Sequence, residues 1–303
     1  MKLLLIYQKA CCSMPDSVEA SYRQQETGCR NGRLETVFQQ GPSGKTYLAE
    51  QYSTYPFHIC RVHYLDKALP DMASLYLQSC AGGIFSNDKL ATKVQTKEGS
   101  RVHLTTQAST IVHRMEHGSA DHVVDIHCDA HSLLEYIPDT TILFPQAKLR
   151  SKVTVTANRD SDVIIGEAFS SHDPDGLDEP FGWLETELII QRPEGQIDVI
   201  DRYRITGDEF FTGELACSRD YSVYGTFMII SSRHNSSILA SSLTDCISSA
   251  KNVYAGVSQL PSEAGYWVRY MAIDGISSKK LVTELWMVSR KWLTGVPPNV
   301  RRK

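Results

Sequence analysis

The stretch Lys148-Leu149-Arg150-Ser151-Lys152-Val153-Thr154-Val155-Thr156-Ala157 alternates residue by residue. Lys148, Arg150 and Lys152 fall on one side of it, and Leu149, Ser151 and Val153 on the other. Successive side chains of a β-strand point to opposite faces, so a period of two predicts a half-buried strand. The same alternation runs through Ile197-Asp198-Val199-Ile200-Asp201-Arg202-Tyr203-Arg204-Ile205 and through Tyr266-Trp267-Val268-Arg269-Tyr270-Met271-Ala272. Turn-forming clusters separate such runs: Gly41-Pro42-Ser43-Gly44, Asp173-Pro174-Asp175-Gly176, Arg192-Pro193-Glu194-Gly195 and Gly207-Asp208. The pattern predicts a mainly β protein, with many short antiparallel strands stacked in a single elongated domain.

Two segments depart from the two-residue period. Leu281, Leu285, Val288 and Trp292 recur at helical spacing, with Ser277 or Ser278 available as a cap, Gly295 as a terminator and Pro297-Pro298 beyond it. A second helix is expected over Ser236 to Ser249, with Ile238, Leu239, Leu243 and Cys246 inward. Residues 1–30 are polar and irregular and are expected to form a poorly ordered extension, leaving 31–303 as the β-rich domain. No internal repeat is evident.

The bulk numbers exclude several functions. Lys plus Arg total 31 against 35 for Asp plus Glu, a net charge of −4 in 303 residues. That balance predicts neither a nucleic-acid-binding nor an anionic-membrane surface. The apolar run Leu3 to Tyr7 is shorter than a secretory signal requires, and no stretch approaches the length of a membrane span. A cytoplasmic protein is expected. Its 8 cysteines contain no Cys-x-x-Cys pair and are expected to be free thiols, mostly small core residues.

Gly44-Lys45-Thr46 resembles the end of a phosphate-binding loop, but Gln39 stands where that loop needs another glycine. A hairpin turn is the expectation there. Five of the 10 histidines (113, 117, 122, 127 and 131) crowd into one segment beside Cys128. Imidazole and thiolate suit nickel, zinc and copper, which makes His113, His127, Cys128 and His131 candidate ligands. On strands, residues four apart sit roughly 13 Å from one another, so one ion would need partners from neighbouring strands. A metal-dependent hydrolase or cupin-like enzyme using His113–His131 is one rival reading, and a β-sandwich binding module without metal is another.

Several segments, in order and at suitable spacing, resemble the UreD (UreH) family of urease accessory proteins. They are Gly32-Arg33-Leu34, Gly44-Lys45-Thr46 and Tyr55-Pro56; Gly82-Gly83-Ile84 through Asp88-Lys89-Leu90; Leu104-Thr105-Thr106-Gln107; Leu134-Glu135-Tyr136-Ile137-Pro138; Gly166-Glu167; and the helix ending at Trp292 and Gly295. Two departures stand out. Asn87 replaces a glycine before Asp88, and the family's arginine is missing from the loop after Glu167. The resemblance implies a non-catalytic scaffold that joins UreF and the GTPase UreG on apo-urease and assists nickel insertion. It implies no tightly bound cofactor, only transient Ni²⁺. A conduit needs exchangeable oxygen ligands rather than a closed His/Cys set. The matching polar positions are Asp88, Thr105, Gln107, Glu135 and Glu167, with Asp88 and Glu167 expected to guide the cation.

Overall fold

A computed structural model describes residues 29–212, 220–233 and 236–299; the expected extension therefore lies almost wholly outside the described residues. In chain order the first strands are β1 (Asn31–Gln40), β2 (Thr46–Ser53), β3 (Phe57–Ile59), β4 (Ala73–Ser79) and β5 (Lys89–Thr96). Then come β6 (Arg101–Thr106), β7 (Thr110–Val112), β8 (Ala120–Cys128), β9 (Leu133–Tyr136), β10 (Thr141–Leu143), β11 (Lys148–Ala157) and β12 (Asp162–Ser171). Two more, β13 (Trp183–Gln191) and β14 (Ile197–Thr206), lead into a short helix α1 (Gly207–Thr212). The C-terminal part holds β15 (Val223–Ile230), helix α2 (Ser236–Ser249), β16 (Val253–Gln259), β17 (Gly265–Ala272) and helix α3 (Gly275–Thr294).

The strands form two sheets. One has the order β14-β13-β11-β8-β5-β1-β2, and the other runs β16-β17-β15-β12-β9-β6-β4-β3, with β10 and β7 attached beside β12. The mainly β expectation holds, but its antiparallel detail does not. β1, β5, β8, β11 and β13 pair in parallel, as do β4, β6, β9 and β12. Antiparallel pairs close the ends, at β1/β2 and β13/β14 in one sheet and at β3/β4, β12/β15, β15/β17 and β16/β17 in the other. The cause is the route of the chain. β5, β8 and β11 lie in the first sheet while β6, β9 and β12, which follow them, lie in the second. A strand that returns to its own sheet has completed a circuit and runs in its earlier direction, as in a solenoid.

Three corners make these crossings, at residues 97–100, 129–132 and 158–161. Each closes with a backbone bond: Ser100 N–H to Lys97 at 3.0 Å, Ser132 N–H to Asp129 at 3.3 Å and Ser161 N–H to Asn158 at 3.1 Å. They also stack, for Asp129 N–H reaches Thr96 O at 2.9 Å and Asn158 N–H reaches Cys128 O at 2.9 Å. The third corner residue takes positive φ in the first two, 70° at Gly99 and 58° at His131. The corner serines are buried. This structural repeat was not visible in the sequence, because only the serine recurs.

Both helix expectations hold in outline. Leu281 and Leu285 are fully buried on α3, Val288 and Trp292 pack partly buried beside them, and Gly295 ends the helix at φ 81°. The cap is Asp274 rather than Ser277 or Ser278; its carboxylate accepts from Ser277 N–H at 2.7 Å. On α2, Leu239 and Leu243 are buried, whereas Ile238 is exposed. Both helices pack on the outer face of the second sheet, against Ile164, Phe227, Val268 and Tyr270. The P-loop-like segment is the β1–β2 hairpin turn, with Gly44 at φ 81°.

Candidate functional site

The space between the sheets holds two apolar clusters. One contains Val124, Val153, Ile165, Leu188 and Val199. The other contains Leu149, Phe169, Leu184, Ile205 and Phe210. Alternation fixes what lies between them, since residues two apart share a face. On the first sheet the register sets His122, Ser151, Thr186 and Tyr203 side by side across β8, β11, β13 and β14. On the second sheet Glu167, Thr226 and Arg269 adjoin one another across β12, β15 and β17. A polar layer thus crosses an otherwise apolar interior.

The layer has few formal charges, and they interact across the gap. Arg269 Nη2 donates to Asp201 Oδ2 at 2.5 Å, joining β17 of one sheet to β14 of the other. Its Nη1 donates to the Tyr224 hydroxyl at 2.9 Å. Trp267 Nε1 donates to Thr226 Oγ1 at 2.6 Å, and Tyr203 is hydrogen-bonded with Thr186. Among the described residues Glu167 makes no hydrogen bond through its carboxylate. Burial, with a smaller contribution from Asp201, pushes the Glu167 carboxyl up to about 7. Burial also drives His122 down to about 4, so its imidazole is neutral at physiological pH. At the β14–β16 side the layer meets a cavity of about 720 Å³ lined by Phe169, Tyr203, Tyr224, Tyr254, Trp267 and Arg269.

Of the five positions expected to lie near a cation path, Glu167 alone faces this layer; the others lie apart. Asp88 sits in the corner before β5, where it pairs with Arg30 and accepts from Phe85 N–H at 2.8 Å. Asn87 beside it takes φ 63°, the conformation that a glycine would otherwise supply. Asp88→Ala removes a buried acceptor and the Arg30 partner. It is expected to cost about 1–3 kcal/mol in chemical denaturation.

Glu135 belongs to a different network, on the helix side of the second sheet. Arg290 from α3 forms a two-pronged pair with Glu135 and reaches Asp66 Oδ2 at 2.8 Å. His103 Nδ1 lies 2.8 Å from Glu135 Oε2, and its ring stacks on Trp286 at 4.8 Å. Burial would raise the Glu135 carboxyl, but the Arg290 charge and hydrogen bonds, helped by His103, outweigh it and hold the group well below the usual carboxylate range. Thr105 is buried on the same face of β6 as His103. Gln107 is exposed just past β6 and donates its backbone N–H to Leu77 O at 3.0 Å.

The histidine segment is spread along the coil. His113 stacks on Phe85 at 4.3 Å, with Nε2 2.9 Å from Gly82 O. His127 is half-buried on β8, and His131 turns the corner after it. Cys128 is buried in the first apolar cluster, and burial pushes its thiol up to about 12, far from a ready thiolate ligand. Among the described residues no group of three or more His, Cys, Asp or Glu side chains is placed to hold a metal ion. No described helix is long and apolar enough to cross a membrane.

Sequence reasoning missed Asp201, Arg269 and the row from Ser151 to Tyr203. The available signal was polar residues on the apolar face of an alternating strand: Asp201 and Tyr203 fall between Val199 and Ile205.

Comparison with known proteins covers nearly the whole of the described chain. The family model for "UreD urease accessory protein" matches residues 30–303. A "Urease accessory protein UreD 1" of Pseudomonas syringae pv. syringae is 35% identical over 267 residues, covering 88% of this chain and 94% of the relative. The protein of that name from Methylorubrum populi is 36% identical over 276 residues, covering 90% and 92%. With the match running from β1 through α3 and the relatives spanned almost end to end, the chain belongs to the UreD family of urease accessory proteins.

Proposed function

We propose that this protein is a non-catalytic urease maturation factor that works in the cytoplasm with UreF and the GTPase UreG on apo-urease. In this reading Ni²⁺ is cargo, and it passes between the two sheets along the polar layer. The observation that carries the reading is Glu167, a half-buried carboxyl group with no hydrogen bond through its oxygens among the described residues, beside Asp201 in an otherwise apolar interior. Hydroxyls of Ser151, Thr186 and Tyr203 continue the layer. Hydroxyl and carboxylate oxygens are weak, exchangeable ligands for a divalent first-row ion, whereas a closed imidazole–thiolate set would retain it. Scattered histidines and a protonated Cys128 suit passage rather than storage.

The test is co-expression of apo-urease and its accessory proteins with and without this chain, reading nickel per urease active site and urea hydrolysis. Urease is expected to emerge nickel-poor and inactive only when the chain is missing. Equal activation without it overturns the proposal.

A further inference from the structure

We propose that Arg269 is an internal counter-cation, holding the place of the transported ion in the polar layer and keeping that layer from becoming a metal trap. The inference rests on the nickel route proposed above and assigns a residue that regulates it.

Arg269 spans the gap between the sheets. It stands in register with Thr226 and, through it, with Glu167, while its guanidinium is bonded to Asp201 of the opposite sheet. Three aromatic rings frame it: Trp267 at 4.4 Å, Tyr224 at 5.5 Å and Tyr203 at 5.4 Å from the guanidinium carbon. Ring faces attract a cation without carrying a charge of their own. The guanidinium therefore has a second set of favourable contacts available when Asp201 is drawn away. Its Nε is buried with no hydrogen-bond partner among the described residues, so the present position leaves one donor unsatisfied. The guanidinium also lines the cavity at the β14–β16 side, where space exists for it to move.

The charge arithmetic gives the consequence. Two carboxylates, Glu167 and Asp201, face one permanent cation. A divalent ion lodging between them would meet the guanidinium at short range in a weakly screened interior, where like charges repel strongly. With Arg269 in place the layer admits an ion only as the Arg269–Asp201 bond opens, and its closure expels the ion again. Without that charge the two carboxylates would be free to clamp the ion.

The experiment is calorimetric titration of the purified, tag-free full chain with Ni²⁺ alone. Wild type is expected to bind weakly at this site. Arg269→Gln is expected to bind at least about tenfold more tightly, about 1.4 kcal/mol. Arg269→Lys keeps the charge and is expected to return to weak binding, and Arg269→Gln with Asp201→Asn is expected to lose the gain. Thermal melts confirm that each variant is folded. Arg269→Gln binding within twofold of wild type overturns the proposal, as does tight binding by Arg269→Lys. The route itself is tested separately: if Glu167→Gln and Asp201→Asn both leave the nickel content of co-expressed urease unchanged, the route fails regardless of Arg269. If they lower it while Arg269→Gln binds like wild type, the route stands and the counter-cation falls.

Discussion

Glu135→Ala is expected to destabilise the protein by about 3–5 kcal/mol, because it leaves the Arg290 guanidinium in a buried site with half its partners gone. That is a large part of the 5–15 kcal/mol by which a typical domain is stable, and it corresponds to a fall in Tm on the order of 10 °C. Arg290→Ala is expected to be at least as damaging, since it strands Glu135 and Asp66 together. Replacing both Glu135 and Arg290 by leucine is expected to cost less than the two single changes added, because Asp66 is then the one carboxylate of the network left without the guanidinium. The pH dependence has a definite sign. The Glu135 carboxyl is depressed in the folded state, so its contribution is complete above the ordinary carboxylate pKa and is lost as pH falls through the folded value. Urea midpoints of wild type and Glu135→Ala are therefore expected to converge as the solution is acidified below about pH 4. A Glu135→Ala midpoint indistinguishable from wild type at pH 7 would show that the network is not what holds α3 to the sheet.

Glu167→Gln is expected to have the opposite profile, with function lost and stability kept or gained. Burial lifts the Glu167 carboxyl from its ordinary value of 4.5 to about 7 in the folded protein. The stability present below the unfolded pKa is therefore lost as pH rises from about 4.5 through 7, by about 3 kcal/mol once the group is ionised. Glutamine removes that penalty, so the variant is expected to be more stable than wild type at pH 8. The same change takes away a carboxylate from the proposed route. Nickel in co-expressed urease is expected to fall by at least about tenfold, given the size of a short-range charge interaction in a partly screened interior. Urease nickel quantified alongside the pH 8 melting curve separates the two effects. Full nickel loading with Glu167→Gln would remove this residue from the route.

These two glutamates show what the sequence could and could not reveal. Each sits on a strand recognisable by alternation or by family resemblance, and each matched a position that the resemblance singled out. Their faces differ: Tyr136 and Ile165 point between the sheets, which puts Glu135 outside and, two residues past Ile165, Glu167 inside. Alternation gives the two faces of a strand but not which face meets the second sheet. The partner of Glu135 lies 155 residues away on a helix, a pairing that no local pattern encodes. Local chemistry was more legible. The β1–β2 turn and the α3 terminator at Gly295 rest on glycines with positive φ, while the α2 limits rest on periodicity. The parallel winding was hidden because its corners share little more than Ser100, Ser132 and Ser161.

The tie between Arg290 and Glu135 also orders the protein's synthesis. β5 through β12 can wind one circuit at a time, since each strand docks on one made about 30 residues earlier, and such local assembly keeps pace with translation. Glu135 is then covered on one side by the sheet while its counter-charge, 155 residues further along the chain, has yet to be made. Until α3 arrives the carboxylate has to remain hydrated, and the helix side of the second sheet has to stay open to water. The C-terminal helix is thus the element whose arrival completes the network, since it alone brings Glu135 the Arg290 charge.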